Sequence, residues 1–477
     1  MQAMPDPTPN FFLALDQGSH ASKALLFDAS GKIAASAEAP LASQAPQPGW
    51  VEHDAEEVVA SVLEAVDDVV AAAGVRAADR VAAGLAVQRS SIVCWDRESG
   101  TALSPVLSWR DRRHAQWLAG LELDPHRIHQ LTGLVISPHY GASKLRWCLD
   151  QLPAVAAAAR DGRLCCGPLA SFLVFRLLEE DPCVVDPANA ARTMLYDLSA
   201  GDWSVELLAA FGLTANCLPR AVPGRASFGT LRRDELRADL QVLAGDQPAA
   251  LFAWGEPGPD TLFINIGTGA FVQRAVAEAA SVDPRLLRSI AWAEPGREVR
   301  VVEGTVNGAG AALQWLARQR GVPLDELLAG APRWLDESCE PPLFINGVGG
   351  LAAPFWRPDC PVQFTAETGI EQEAVAVIES IVFLLQANIE AMLGAAAEAP
   401  RRILATGGLA RLDGLCRRLA SLSGLPVVRP GECEATAMGL ARLLGAPALP
   451  MGRPDRFQPG PMPELSARYR AWRRLLD

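Results

Sequence analysis

The sequence predicts an α/β protein built from two related halves, and three observations carry that prediction. Residues 11–28 read as strand, tight polar turn, strand: an apolar run over 11–15 ends at Asp16-Gln17-Gly18, and a second apolar run over 24–27 follows the turn. Residues 261–272 repeat the pattern around Gly267-Thr268-Gly269. Strand and helix patterns alternate through the rest of the chain, which at 477 residues is too long for one ordinary domain and long enough for two or three sizeable cores.

Composition narrows the class. Hydrophobic residues make up 49% and charged residues 21%, as in folded globular proteins. A net charge of −12 argues against a nucleic acid or an anionic membrane surface as partner. No basic segment precedes Phe11, the apolar run there is too short for a signal sequence, and no uninterrupted stretch has transmembrane length, so a soluble, cytoplasmic protein is expected. The ten cysteines (Cys94, Cys148, Cys165, Cys166, Cys183, Cys217, Cys339, Cys360, Cys416 and Cys433) form no C-x-x-C pair and read as reduced and mostly buried. Of 43 basic residues only Lys23, Lys32 and Lys144 are lysines.

In chain order, residues 1–10, with three prolines, read as an unstructured leader. After the first hairpin, residues 32–38 alternate weakly and suggest a third strand. Asp54 is a helix N-cap with Glu57 three residues on; Val58, Val59, Val62, Leu63 and Val66 form the apolar face and Gly74 ends the helix. Residues 81–87 and 91–95 read as strands around Gln88-Arg89-Ser90. Residues 109–113 are a helix start or one wall of a polar site. Residues 132–140 form a loop into a helix, 154–160 an Ala-rich helix, 165–180 an apolar helix, and 189–194 a polar loop. A strand ends at Gly245 and a helix starts at Pro248. Later come helices over 308–318 and 373–393, a strand and Gly-rich loop over 343–350, and a strand over 403–405 leading to Gly407-Gly408 and another helix.

Several of these positions carry chemistry. The first tip gathers Asp16, Gly18, Ser19, Ser22 and Lys23, which offer amides and a cation to a polyphosphate and a carboxylate to its Mg²⁺. A plain hairpin would also use Gly and Asp there; the second tip at Gly267-Thr268-Gly269 tilts the balance toward two halves gripping one nucleotide. Asp246, at a strand's carboxyl end, is an N-cap or a catalytic carboxylate, with the N-cap the commoner case. Locally, Arg89 reads as a solvated turn residue and His139 as a surface histidine. Gly407-Gly408 permits close approach of a flat ligand, or is simply a tight turn.

Taken together, Ala14-Leu-Asp-Gln-Gly18, Pro48-Gly-Trp-Val-Glu-His-Asp54, Thr132-Gly-Leu-Val-Ile136, Arg192-Thr-Met-Leu195, Ala244-Gly-Asp-Gln247, Gly267-Thr-Gly269, Glu303-Gly304, Gln314-Trp-Leu316, Ala353-Pro-Phe-Trp356, Gly407-Gly408 and Glu434-Ala-Thr-Ala-Met-Gly439 occur in an order that resembles the FGGY carbohydrate kinases, most of all the glycerol kinases among them, within the actin-like ATPase superfamily. The resemblance spans nearly the whole chain. It implies two actin-like (ribonuclease H-like) domains with an active-site cleft between them, residues 1–244 mainly for a small-molecule polyol or sugar and 245–477 mainly for ATP. It also implies Asp246 as general base, Asp16 and Asp246 near Mg²⁺, and Gly18, Ser19, Ser22, Lys23, Gly267, Thr268 and Gly269 on the phosphates, with Gly407 and Gly408 on the rest of the nucleotide. Arg89, Ser90, Trp109, His139, Asp246, Gln247 and Phe271 would bind the acceptor, and the resemblance admits a homo-oligomer.

The chain departs from the glycerol kinase pattern where a carboxylate gives way to Ser90 and a tyrosine to His139, which implies another polyol or a ketose as acceptor. Around 412–413 and 364–368 the nucleotide-side pattern also changes. Glycerol kinase proper, a non-catalytic sugar-binding regulator, and a chaperone-type or cytoskeletal ATPase stand as alternatives.

Overall fold

In the computed structural model, which describes residues 9–278, 280–337, 340–393, 398–431, 434–447 and 452–476, the first hairpin pairs β1 (Phe11–Gln17) with β2 (Ala21–Asp28), and Asp16 lies opposite Lys23. The expected leader over 1–8, and Cys339 and Cys433, lie outside the described residues. Two compact units emerge: the described residues within 1–256, 289–299 and 434–450 form the first, and those within 257–288, 300–433 and 451–477 the second.

The first unit is organised on a six-stranded sheet in the order Arg225–Arg233, Leu236–Gly245, Val81–Val87, β1, β2 and β3 (Ile33–Pro40). Strand alternation assigns the two faces. Leu13 and Leu15 of β1 and Ala83, Leu85 and Val87 join one core beneath α1 (Ala55–Ala73). Asp54 caps α1 by accepting from the N–H groups of Glu56 and Glu57, and Gly74 closes it in the left-handed region. Val58, Val62, Val66 and Val69 are fully buried on its inner face, and burial of each such side chain stabilises by about 1.5–3 kcal/mol. Residues of the opposite parity face the other way. A Cβ on Gly84 would sit 3.3 Å from Val242 Cβ and 3.4 Å from Leu440 and Leu444, so the helix Ala435–Leu443 packs close against that face. Asp16 has the same parity as Phe12 and Ala14, which puts it on the side of this helix.

The strands around Gln88-Arg89-Ser90 do not form a hairpin. Val81–Val87 stays in the main sheet, whereas Ile92–Asp96 enters a four-stranded sheet with Glu52–His53, Val106–Leu107 and Leu164–Pro168. Two local expectations are corrected. Residues 165–180 begin as the strand Leu164–Pro168 and only then become the helix Leu169–Leu177, because a short apolar run fits a buried strand as well as a helix. Residues 189–194 are buried and helical rather than a polar loop, since Asp186 caps Pro187–Ala190 and also accepts from Asn189 Nδ2. A further helix, Pro125–Thr132, precedes the expected loop.

A seven-stranded sheet runs in the order Leu287–Glu294, Arg297–Val306, Ala270–Val276, Thr261–Ile266, Arg402–Thr406, Val427–Arg429 and Asp455–Phe457, and its strands from Ala270–Val276 to Asp455–Phe457 belong to the second unit. From Arg297–Val306 to Val427–Arg429 the strands repeat the pattern from β3 to Leu236–Gly245: a three-stranded antiparallel meander, then two parallel strands. Ile370–Leu393 is long and apolar enough to cross a membrane, contrary to the expectation that no such stretch exists, but 89% of its most apolar part is buried, as befits a core helix. Eight cysteines among the described residues are free thiols, six of them buried.

Candidate active site

In the first unit, three chain segments meet at one acidic corner. Asp16 ends the series of β1 that faces the helix Ala435–Leu443, Asp246 follows the last residue of Leu236–Gly245, and Glu434 precedes that helix. Asp16 is pushed up to about 7 by burial, then by the Asp246 and Glu434 carboxylates, with Lys23 and the Thr436 hydroxyl pulling the other way. Lys23 Nζ donates to both Glu434 oxygens at 3.0 and 3.1 Å and lies 3.6 Å from Glu38. Glu434 and Thr436 lie in the motif Glu434-Ala-Thr-Ala-Met-Gly439 quoted for the resemblance, which gave them no role.

Asp246 is the first residue of the helix Asp246–Leu251 and Gly245 is its N-cap, so the carboxylate is no cap. Its Oδ1 is shut off from solvent with no hydrogen-bond partner. Burial raises its pKa; the Arg89 guanidinium and the peptide N–H groups of Gln247 and Arg89 oppose that. Arg89 is only 8% exposed, not a solvated turn residue, and its Nη2 donates to Gln247 Oε1 at 2.6 Å. A Cβ on Gly245 would lie 2.6 Å from Arg89 Cδ, so the bare glycine lets the guanidinium stem cross the strand end. Behind this pair lie Arg192, lowered to about 9 by burial and by Arg89, and Asp186, raised to about 6 by burial.

The wall beside Arg89 is made by Ser90, Trp109 and His139. Ser90 takes φ 67°, uncommon for a residue with a Cβ. His139 Nδ1 sits 3.0 Å from the Trp109 carbonyl. Trp109 Nε1 donates to Ser19 Oγ at 3.0 Å, and Ser19 Oγ donates to Gln88 Oε1 at 2.9 Å. Gln88, also missed from sequence, bonds the Gly18 carbonyl at 3.2 Å as well. Ser22 is corrected out of the phosphate-facing set: it is 1% exposed and shares its hydroxyl with Ser61 at 2.8 Å under α1. Its neighbour Lys23 points to the opposite side of β2, as alternation requires.

The residues expected on the nucleotide side, and Phe271, belong to the second unit. Gly267 N donates to the Gly269 carbonyl at 2.8 Å, closing the turn between Thr261–Ile266 and Ala270–Val276. The Gly267 and Thr268 carbonyls accept from Gly310 and Ala311 at 2.9 Å each, fixing the loop to the start of Gly310–Arg320. Thr268 is exposed, as are Asn265, Gly407 and Gly408 at the carboxyl ends of two neighbouring strands. Asn265 Nδ2 donates to Thr406 Oγ1 at 3.1 Å. Gly407 takes φ 90°, and a Cβ there would strike the Ile266 carbonyl at 2.6 Å.

Among the described residues no group of three His, Cys, Asp or Glu side chains forms a metal cage. Mg²⁺ needs none, since it keeps waters and takes phosphate oxygens beside one or two carboxylates. The unpartnered Asp246 Oδ1 and the elevated Asp16, crowded by like charge, fit such a cation.

Residues 11–242 match the N-terminal domain of the FGGY family of carbohydrate kinases and residues 262–448 its C-terminal domain. A glycerol kinase of Ectopseudomonas mendocina is 34% identical over 478 residues, covering 97% of this chain and 93% of its own. One of Citrifermentans bemidjiense is 34% identical over 448 residues, covering 91% and 90%. The fold is similar to that of Plasmodium falciparum glycerol kinase with ADP, at TM-score 0.87 and 19% identity with 98% of each chain covered. It is also similar to that of a xylulose kinase of Rhodospirillum rubrum, at TM-score 0.82 and 21% identity with 97% of each covered.

Proposed function

The chain belongs to the FGGY family of carbohydrate kinases, and on that premise we propose that it transfers the terminal phosphoryl group of ATP to a hydroxyl of a small polyol or sugar with Asp246 as general base. The enzyme is an ATP-dependent phosphotransferase whose cofactors are ATP and Mg²⁺. The observation that carries the assignment of the base is the Asp246 Oδ1 atom, shut off from solvent and left without a partner at the head of a helix. A buried carboxylate oxygen of that kind is completed by a hydroxyl proton, and its raised pKa makes it a stronger acceptor of that proton than an ordinary aspartate.

Arg89 and Gln247, joined at 2.6 Å, would hold acceptor hydroxyls beside Asp246, while Ser90, Trp109 and His139 set the shape of the opposite wall. Asp16 and Asp246 would hold Mg²⁺ directly or through its waters. When bound, Mg²⁺ supplies positive charge that balances the phosphate oxygens. Residues 1–244 would serve mainly the acceptor, and residues 245–477 mainly ATP: the exposed Thr268 turn would meet phosphates, its Gly267 amide being held by the Gly269 carbonyl, and the exposed Gly407-Gly408 turn lets a flat ring approach. Lys23, paired with Glu434, contributes to phosphate binding once an anion competes for its ammonium.

A second reading, glycerol as the acceptor, is favoured by the glycerol kinases 34% identical to this chain. Ser90 and His139 speak for a longer or differently hydroxylated acceptor, because a site built from hydrogen-bonding partners discriminates strongly when those partners change. The test is ADP release with MgATP across glycerol, tetritols, pentitols, hexitols and ketoses, against a blank without acceptor. Dependence on one member supports the kinase and names its class, with glycerol favouring the second reading. Release equal to the blank throughout, or silence, counts against acceptor phosphorylation and toward an ATPase or a sugar-binding protein.

A further inference from the structure

Lys144 is one of three lysines in a chain that otherwise uses arginine, and nothing in the proposed reaction employs it. It stands in the first turns of the helix Gly141–Gln151 and is 1% exposed. Its Nζ donates to three backbone carbonyls: Ser108 and His139 at 2.8 Å each and Ser90 at 3.1 Å. These carbonyls come from three separate segments, the turn after Val81–Val87, the strand exit before Trp109, and the loop before Tyr140. Each carbonyl belongs to a wall residue or to the residue just before one. The three N–H directions of an ammonium are thereby all used on backbone, and none is left for a ligand.

We propose that Lys144 is a positioning residue for the acceptor: its ammonium draws the Ser90, Trp109 and His139 segments into one wall and so sets acceptor affinity without touching the acceptor. The inference rests on the acceptor site proposed above. Two details of the geometry support it. Ser90 lies in the left-handed region, which costs energy for a residue with a Cβ and persists only where the surroundings hold it, and the bond to its carbonyl is such a hold. A planar guanidinium sends its donors along a fork and cannot converge on three carbonyls around one point, so arginine cannot replace lysine here. Burial lowers the Lys144 pKa to about 7, with Asp111 favouring the buried charge and Arg113 opposing it.

The test compares wild type with Lys144→Met and Lys144→Arg by acceptor KM, ATP KM and kcat, and by backbone hydrogen exchange. Both variants should raise acceptor KM by about tenfold to a hundredfold while ATP KM and kcat move far less, as expected when acceptor binding is lost equally from the ground and transition states. Exchange should quicken in the peptides spanning 88–91, 107–110 and 137–140 and stay unchanged in the second unit. For Lys144→Ala, propylammonium should restore acceptor KM in part, and tetramethylammonium, which has no N–H, should not. Unchanged acceptor KM, unchanged exchange in the three segments, wild-type behaviour of the arginine variant, or a parallel fall in active fraction and global protection would each overturn the proposal. A wild type silent on every acceptor would instead overturn the kinase reading, while the exchange arm still reports on the tie.

Discussion

Trp109 and Ser19, 90 residues apart in sequence, are joined by a 3.0 Å hydrogen bond from the indole Nε1–H to the hydroxyl, and Ser19 passes the chain of bonds on to Gln88. The tip proposed to meet phosphate and the wall proposed to meet the acceptor are thus one hydrogen-bonded piece. In a cycle of Ser19→Ala, Trp109→Phe and the double variant, the coupling energy for acceptor kcat/KM should be about 1 kcal/mol. Strict additivity would show that the link carries no function.

Asp246→Asn keeps the size of the side chain but cannot take a proton. The expected result is a loss in kcat of about 10²–10⁴, the usual worth of a general base, with ADP affinity held close to wild type. Near-normal turnover by the variant would remove Asp246 from that role.

Replacement of Asp16 by alanine relieves the crowding of carboxylates and removes one proposed support of the cation. The Mg²⁺ concentration for half-maximal activity should rise about tenfold or more. A Mg²⁺ titration superimposable on that of wild type would place the cation elsewhere.

Asp186 supplies a pH test away from the cation. Burial raises its folded pKa to about 6 from 3.8, so the folded chain holds the proton more tightly than the unfolded chain does. The group's contribution is therefore most favourable below the unfolded value and is lost as pH rises through the window to about 6, by up to about 3 kcal/mol. Asp186→Asn keeps an oxygen for the cap and cannot ionise. Its urea midpoint should exceed that of wild type at pH 7.5 and converge with it near pH 4; an offset independent of pH would deny the titration.

What could be read from sequence divides along the range of the interactions. The hairpin tips, the Asp54 cap and the end of α1 at Gly74 depend on residues a few positions apart, and they stand where local pattern puts them. Residues 165–168 read as helix because so short a run carries no period of its own. Asp246 shows the limit most clearly. The local rule favours an N-cap, yet Gly245 takes that position, and what surrounds the freed carboxylate, Arg89 and the corner with Asp16 and Glu434, comes from distant parts of the chain. Gln88 acts through partners brought together only by folding, as do Lys144 and Glu434, which stand out in the sequence only as a rare lysine and as the start of a motif. Arg89 and His139, bland as local residues, gained their place from family resemblance rather than from neighbours.

The pairing of Lys23 with Glu434 spans 411 residues. During synthesis at about 5–20 residues per second, roughly 20–80 s separate the emergence of its two halves. Over that interval β1, β2 and α1 can form from local contacts, but the corner that positions Asp16 lacks its third segment, because the helix Ala435–Leu443 has yet to leave the ribosome. A nascent chain therefore has no complete machinery with which to consume nucleotide. A chain shortened before Glu434 should therefore lack the third segment of this corner and, with it, acceptor-dependent release of ADP.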